Sequence, residues 1–178
     1  MVKKFFAAML LAAMFFFAHN ISAQPEFNYQ VNVEGSGWMQ PVGNGEVAGT
    51  VMQAKRLEAL IINFSGGVKY SAHVQDFGWQ KWVYSGEVAG TVGENKRIEA
   101  IRIQMAGRTE QYFDIYYRAH VQNIGWLGWA KNGEPAGTAG ASLRMEAIQI
   151  QLVDKGASFN RGDRPAFYQA VPKNVPTV

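Results

Sequence analysis

Cysteine is absent from the 178 residues, so no disulfide can stabilise the fold and no thiolate nucleophile is available. The sequence also lacks the Gly-x-Ser-x-Gly, His-Glu-x-x-His and phosphate-loop motifs. His73 and His120 are too far apart along the chain for the usual spacing of metal ligands. We therefore predict a protein that is not an enzyme and that uses no cofactor or metal.

A long apolar run occurs only at the start of the chain. Two lysines precede 14 residues, Phe5 to Ala18, which are too few for a membrane-spanning helix. Ala23 is a plausible cleavage point, so we predict a secretory signal peptide at 1–23 and a single mature domain at 24–178. The mature protein is expected to be soluble and secreted, or retained at the cell surface. The alternative is an uncleaved anchor, because Ile21-Ser22-Ala23 is not an ideal cleavage site.

Neither positive nor negative charge is in large excess. The precursor has 17 basic and 14 acidic residues. Cleavage after residue 23 removes two lysines and no acidic residue, which leaves 15 basic against 14 acidic side chains. A nearly neutral chain with no basic stripe does not fit nucleic-acid binding, so we predict no nucleic-acid partner.

The chain from Tyr29 onward repeats one unit three times. Each unit has a Gly-Trp pair, an Ala-Gly-Thr triplet and a Glu-Ala pair, and 29 residues separate its first tyrosine from its glutamate in every copy. We call the units copy one (29–65), copy two (70–106) and copy three (117–153). The connector before copy three is six residues longer than the one before copy two, around the sequence AGRTEQYF. A fixed period predicts a fold built from one supersecondary unit.

Each copy is predicted to contain four short β-strands. Apolar and polar residues alternate in Tyr70–Gln75 and Ile98–Met105, as in strands with one buried face. We predict an all-β, pseudo-threefold single domain resembling a β-trefoil, with a Trp82–Ala89 hairpin in its cap, or alternatively a β-prism with one sheet per copy. The last strand of one copy is expected to form a hairpin with the first strand of the next.

Three sets of side chains recur in all copies. We predict that the Gly-Trp tryptophans lie in the core, and that each Ala-Gly-Thr glycine has a positive φ while the threonine hydroxyl closes the turn. Each Arg-x-Glu pair is predicted to form a salt bridge. The residues are Trp38, Trp79 and Trp126, then Thr50, Thr91 and Thr138, and the pairs Arg56/Glu58, Arg97/Glu99 and Arg144/Glu146. A carboxylate repeated threefold does not supply the asymmetric pair that glycoside hydrolysis needs.

The order of these residues carries a family resemblance. The pattern Tyr-x-x-His-Val-Gln-x-x-Gly-Trp-x-x-Trp-x-x-x-Gly-x-x-Ala-Gly-Thr, followed by Arg-x-Glu-Ala-Ile, resembles the ChW repeat (clostridial hydrophobic, with conserved Trp) of exported bacterial proteins. The match runs from Tyr29 to about Leu152. It implies a secreted or surface-located protein that attaches to polysaccharide or to other surface components. Copy one departs from the pattern, with Asn32 for His, Glu34 for Gln and Pro41 for the second Trp.

These departures indicate candidate ligand-binding residues in the other copies. The second tryptophan lies three residues after the first, an odd offset that in a strand places it on the opposite, outer face. An exposed indole can stack on a sugar ring, and histidine and glutamine can bond to hydroxyls. The predicted sites are Trp82 with His73 and Gln75, and Trp129 with His120 and Gln122. The predicted partner is a polysaccharide or cell-surface glycan, with a surface protein as the alternative. In the purely structural alternative, the second tryptophans only cover the rim of the barrel.

The C-terminal tail is predicted to hold a return strand around Ala166 to Val171. Arg161-Gly162-Asp163 matches the integrin-binding tripeptide, but three residues carry little information, and we interpret the segment as an ordinary turn.

Overall fold

The computed structural model describes residues 26–170, so the predicted signal peptide and the tail from residue 171 lie outside the described residues. The elements in chain order are β1 (Phe27–Val33), β2 (Gly37–Trp38), β3 (Val42–Gly43), β4 (Val47–Gly49), β5 (Leu57–Phe64), β6 (Val68–Val74), β7 (Gly78–Trp79), β8 (Val83–Tyr84), β9 (Ala89–Gly90), β10 (Ile98–Met105), a 3₁₀ helix (Gly107–Gln111), β11 (Phe113–Val121), β12 (Gly125–Trp126), β13 (Ala130–Lys131), β14 (Ala136–Ala139), β15 (Met145–Asp154) and β16 (Phe167–Gln169). Within 26–170, none of the helical structure has the length and apolar character that a bilayer crossing requires.

Two long antiparallel strands form the body of each copy. They are β1 with β5, β6 with β10, and β11 with β15. The register places a tyrosine opposite an isoleucine in every copy, and all six side chains are fully buried: Tyr29 and Ile62, Tyr70 and Ile103, Tyr117 and Ile150. The alternation in the sequence therefore identified the buried faces correctly, and these faces from all three copies share one hydrophobic core.

The strand partners correct two predictions. We expected the last strand of one copy to pair with the first strand of the next, but the long strands β6 and β11 pair with the last strands of their own copies. The predicted Trp82–Ala89 hairpin is also wrong, because β8 pairs with β6 while β9 pairs with β5 of copy one. Alternation shows which face of a strand is buried but leaves the partner strand open, which explains both errors.

An exchange of the Ala-Gly-Thr strands joins the three copies. Copy one gives β4 to β15 of copy three, copy two gives β9 to β5 of copy one, and copy three gives β14 to β10 of copy two. Each copy gives one strand and receives one, so the exchange closes into a ring. The all-β, three-repeat architecture is thus confirmed. Within residues 26–170 the strands form three separate sheets, not the closed barrel that a trefoil would contain.

The glycine of each triplet permits the close approach of two copies. Gly90 has a φ of 100°, and a Cβ there would overlap the carbonyl oxygen of Glu58 in copy one. A Cβ on Gly49 would lie 2.5 Å from the carbonyl oxygen of Glu146 in copy three. The predicted positive φ is therefore confirmed, and its cause is contact between copies.

The threonine that follows each glycine has a different role from the one expected. The hydroxyls of Thr50, Thr91 and Thr138 are buried and, among the described residues, have no hydrogen-bond partner, so they do not close a turn. The hydrogen bond at this position is made by the threonine backbone and joins two copies: the N–H of Thr91 donates to the Glu58 carbonyl at 2.8 Å.

A buried tyrosine hydroxyl adds a second bond between neighbouring copies. The Tyr117 hydroxyl accepts from the backbone N–H of Ile103 in copy two at 2.9 Å and donates to the Glu134 carbonyl. The same bonds recur from Ile150 to Tyr29 at 3.0 Å and from Ile62 to Tyr70 at 3.1 Å. Burial raises the pKa of Tyr29 and of Tyr70 to about 12, and it also raises the pKa of Tyr117 above its usual value.

The chain ends its described course on copy three. Strand β16 pairs in parallel with β14, with Tyr168 opposite Thr138. The predicted return strand is therefore present, while its expected end at Val171 lies beyond the described residues.

Candidate functional site

A row of aromatic and basic side chains lies on the outer face of copy two. The Arg102 guanidinium lies over the rings of Trp79 and Trp82, 4.7 and 4.5 Å from their centroids. The Lys69 ammonium lies 5.3 Å over the Trp82 ring, and His73 meets Trp79 edge-on, with centroids 5.5 Å apart and planes at 83°. We call these five residues the copy-two row.

The tryptophans of this row correct the sequence prediction. Trp38 is 37% exposed and Trp79 and Trp126 are half-buried, so the Gly-Trp tryptophans are not core residues. Trp82 was expected on the face opposite Trp79, yet both indoles contact one guanidinium. The reason is that β7 ends at Trp79 and residues 80–82 are not in a strand, so the two-residue period does not extend to Trp82.

Copy three contains the same arrangement with the arginine on a different strand. The Arg118 guanidinium lies 4.7 Å over Trp126 and 4.8 Å over Trp129. Arg118 is on β11, the first strand of its copy, opposite Gln149. Arg102 in copy two is on the last strand, β10, opposite Ser71. The two arginines therefore occupy opposite sides of the same strand pair, and both lie over two indoles.

Copy one lacks this arrangement. The paired positions there are Gln30 and Ile61, and Pro41 replaces the second tryptophan. Its long strands nevertheless pair in the same register as those of the other copies. The fold of a copy therefore does not need the arginine between two tryptophans.

The glutamate of an Arg-x-Glu pair lies next to the histidine of the row. Nδ1 of His73 lies 3.2 Å from the Glu99 carboxylate, without a well-aligned hydrogen bond, and Arg97 binds the other carboxylate oxygen at 2.7 Å. The predicted salt bridges are confirmed in every copy, with Arg56–Glu58 and Arg144–Glu146 at 2.8 Å. The histidine ring therefore lies between the tryptophan, which it contacts edge-on, and the glutamate carboxylate, which faces its Nδ1.

His120 of copy three has the same surroundings and is more buried. Its Nδ1 lies 3.2 Å from the Glu146 carboxylate, and its ring meets Trp126 edge-on at 5.4 Å. Burial lowers the pKa of His120, and the nearby Glu146 only partly opposes this. The ring is therefore neutral at neutral pH and offers a hydrogen-bonding nitrogen, not a charge.

The structure places the six predicted site residues in two parallel sets but not in the predicted contacts. His73 connects to Trp82 only through Trp79 and Arg102, and Gln75 lies past the end of β6, where its backbone N–H donates to the Arg97 carbonyl at 3.0 Å. In copy three Gln122 bonds to Arg144 in the same way, and His120 and Trp129 lie at the two ends of the corresponding row. Sequence reasoning missed the arginines, although aligning the copies shows an arginine at one of two paired positions in copies two and three.

The C-terminal segment packs against the Trp129 end of the row of copy three. Phe159 stacks on Tyr116 with centroids 4.0 Å apart and meets Trp129 edge-on at 5.1 Å. The backbone N–H of Trp129 donates to the Arg161 carbonyl at 3.3 Å, and Nε of Arg161 donates to the Trp129 carbonyl at 2.8 Å. Trp82 and Trp129 are both half-buried, and Phe159 contacts Trp129. Arg161 of the Arg-Gly-Asp tripeptide is used in this internal contact.

One glycine explains why the segment docks on copy three. The N–H of Gly128 donates to the Pro165 carbonyl at 3.0 Å, and a Cβ on Gly128 would overlap the carbonyl group of Arg164. The equivalent positions are Lys81 in copy two and Gln40 in copy one. A side chain at this position therefore excludes the segment.

Gly128→Lys, which introduces the residue of copy two, is expected to release residues 159–165 from copy three. Hydrogen exchange of the amides in this segment should become about tenfold faster or more, because docking free energy protects them. Gln40→Lys at the equivalent position is the control and should leave exchange unchanged. Equal protection in both variants would show that Gly128 does not govern docking.

The fold and the row together define a class: an all-β module of three strand-exchanging repeats with an aromatic and basic face. Within residues 26–170, no three metal-binding side chains cluster. The chain belongs to the ChW family, described as Clostridial hydrophobic W, which matches residues 32–66, 73–107 and 120–154. These matches cover more than half of the chain, one in each copy, and confirm the resemblance seen in the sequence. No curated protein and no solved structure matches the chain.

Proposed function

We propose that the protein is an exported, non-catalytic binding module that holds a polysaccharide or cell-surface glycan on the copy-two row. One observation carries this proposal. The arginine between two tryptophans is present in copies two and three although it comes from different strands, and copy one folds in the same way without it. The fold does not need this arrangement, yet two copies form it with an arginine from different strands. A role in binding explains this best.

The chemistry of the row suits a sugar polymer. An indole presents a flat apolar face on which the C–H groups of a pyranose can stack. Neither Lys69 nor Arg102 makes a salt bridge within residues 26–170, so both retain donors for hydroxyl or acidic groups of a glycan. Copy two also has two exposed aromatic side chains outside the row, Phe77 at 56% and Tyr84 at 59%. Exposed aromatic patches of this kind mark interaction sites.

A protein ligand is the second candidate, favoured by one specific observation. In copy three the Trp129 end of the corresponding face is covered by the chain's own polypeptide, through Phe159 and through one backbone and one side-chain hydrogen bond between Arg161 and the Trp129 backbone. The same face of copy two would then dock a segment of a surface protein. A partner recovered from the secreted fraction that added soluble glycans fail to displace would support this candidate against the first.

Trp82→Ala is expected to weaken glycan binding at least tenfold, because it removes the stacking surface and one of the two rings over which the Arg102 guanidinium lies. The measurement is isothermal titration of the mature chain with soluble polysaccharides that bind the wild type. Trp129→Ala should change affinity little, since Phe159 already covers that ring.

Tyr112→Ala is the matched control, because Tyr112 is an exposed aromatic outside the row. A Trp82→Ala variant that binds as tightly as the wild type would refute the proposal. The double variant Trp82→Ala with Trp129→Ala tests whether the covered row contributes after the segment has moved.

A further inference from the structure

A cleft of about 760 Å³ lies at the junction between copy one and copy three. It opens where β4 of copy one pairs with β15 of copy three. Its walls come from the loop after β4, from the Trp126 end of the copy-three row, and from the C-terminal segment. The lining residues include Met52, His120, Trp126, Arg144, Glu146 and Arg164. Binding sites for small ligands commonly have volumes of roughly 300–1,000 Å³.

The side chain of Met52, in the copy-one wall of this cleft, is not explained by folding. Met52 has a φ of 62° and its side chain is 92% exposed. The φ of 55° at Ala54 recurs at Asn95 and Ser142 and therefore belongs to the repeat. The positions equivalent to Met52 are Gly93 and Gly140, which adopt this backbone without strain. Met52 therefore keeps a strained backbone while its side chain gains little burial. All three copies adopt this positive φ, so the feature particular to copy one is a methionine side chain at the edge of the cleft.

The opposite wall is polar and positively charged. Arg144 binds the Glu146 carboxylate at 2.8 Å, which balances those two charges. The Arg164 guanidinium donates to the Ile124 carbonyl at 3.2 Å and, within residues 26–170, has no carboxylate partner. Nδ1 of His120 is buried and lies 3.2 Å from the Glu146 carboxylate, and the His120 side chain lines the cleft. The cleft thus combines an indole, groups that bond to hydroxyls, and one uncompensated cation.

We infer that this junction cleft binds a carboxylate-bearing sugar, as a second site beyond the copy-two row. The pyranose ring would lie against Trp126 and the exposed Met52 side chain, its hydroxyls would meet His120 and Glu146, and its carboxylate would pair with Arg164. A purely apolar ligand would leave the polar wall without water or partners, which is unfavourable. A cationic ligand would face the charge of Arg164. The inference rests on the proposed role in glycan binding and adds a preference for acidic sugars.

Glucuronate and glucose are the probes, titrated separately into the full mature chain with isotope-labelled tryptophan. Glucuronate should shift the Trp126 indole resonance in a saturable way, and glucose should do so at least tenfold more weakly, because it lacks the group that pairs with Arg164. An equal response to both sugars, or no saturable response to glucuronate, would overturn the inference.

Two variants test whether glucuronate binds in this cleft. Arg164→Gln should lower glucuronate affinity about tenfold. Met52→Gly should lower it several-fold without lowering the melting temperature, since glycine suits the positive φ. Arg108→Gln, an exposed arginine of the 3₁₀ helix, is the control. Wild-type affinity in both cleft variants would overturn the inference. The Trp126 resonance reports on the cleft and the Trp82 resonance on the copy-two row, so loss of binding at one site and loss at the other give separate signals.

Discussion

Gly90→Ala is expected to lower the free energy of unfolding by about 3–5 kcal/mol, the largest loss we expect from any single methyl group in this fold. A Cβ at this position would overlap the Glu58 carbonyl oxygen and lie 2.9 Å from the Ala59 Cα, and both atoms belong to the backbone. Relief requires β9 to move away from β5, which breaks the bond from the Thr91 N–H to the Glu58 carbonyl. The melting temperature should fall by about 10 °C.

Gly93→Ala separates contact between copies from backbone strain. Gly93 lies in the same copy with a φ of 76°, and a Cβ there would have no atom within 4 Å. This variant should therefore lose only the strain of a positive φ, about 1 kcal/mol. Thermal and urea unfolding of the two variants are compared with the wild type. Equal losses would mean that the junction of copies one and two yields easily and that the exchanged strand contributes little.

The strand exchange also shows which parts of the fold can be predicted from the sequence. The fixed period and the alternation in segments such as Tyr70–Gln75 predict the repeats, the long strands and their buried faces, because side-chain period follows directly from backbone geometry. The partner of Ala89–Gly90 is not predictable in this way. Its pairing depends on how three copies close into a ring, and that closure is a property of the whole chain. The sequence does mark the contact, since glycine recurs there in every copy.

The candidate site was predictable in part for the same reason. Comparison of the copies identified Trp82 and His73 as unusual, because copy one has Pro41 and Asn32 at the equivalent positions. It placed Trp79 in the core wrongly, because recurrence in every copy was taken to indicate burial, and it placed Trp82 on the opposite face wrongly, because the strand period was applied beyond the two residues of β7. The cover over Trp129 was not visible in the sequence. It depends on the missing side chain of Gly128, which gains meaning only when the C-terminal segment is placed beside it.

Tyr117→Phe is expected to lower the free energy of unfolding by about 2–4 kcal/mol, although it removes a single oxygen atom. The Tyr117 side chain is fully buried, and its hydroxyl accepts from the Ile103 N–H and donates to the Glu134 carbonyl. Its loss leaves the N–H of the buried Ile103 unpaired and removes a partner of the Glu134 carbonyl. Tyr84→Phe is the control, because Tyr84 is 59% exposed, and its loss should stay within about 0.5 kcal/mol. Urea unfolding at neutral pH gives both values.

The buried tyrosines also predict how stability depends on alkaline pH. Burial raises the folded-state pKa of Tyr29 and of Tyr70 from 10.0 to about 12, and that of Tyr117 rises in the same direction. Below pH 10 the phenols are protonated in both states, so their contribution is complete. Between pH 10 and about pH 12 the unfolded chain releases protons that the folded chain retains, and stability falls as pH rises. In Tyr117→Phe two buried phenols remain instead of three, so this fall should be shallower than in the wild type. An equally steep fall would show that Tyr117 ionises as freely in the folded protein as in the unfolded chain, and that its hydroxyl does not hold copies two and three together.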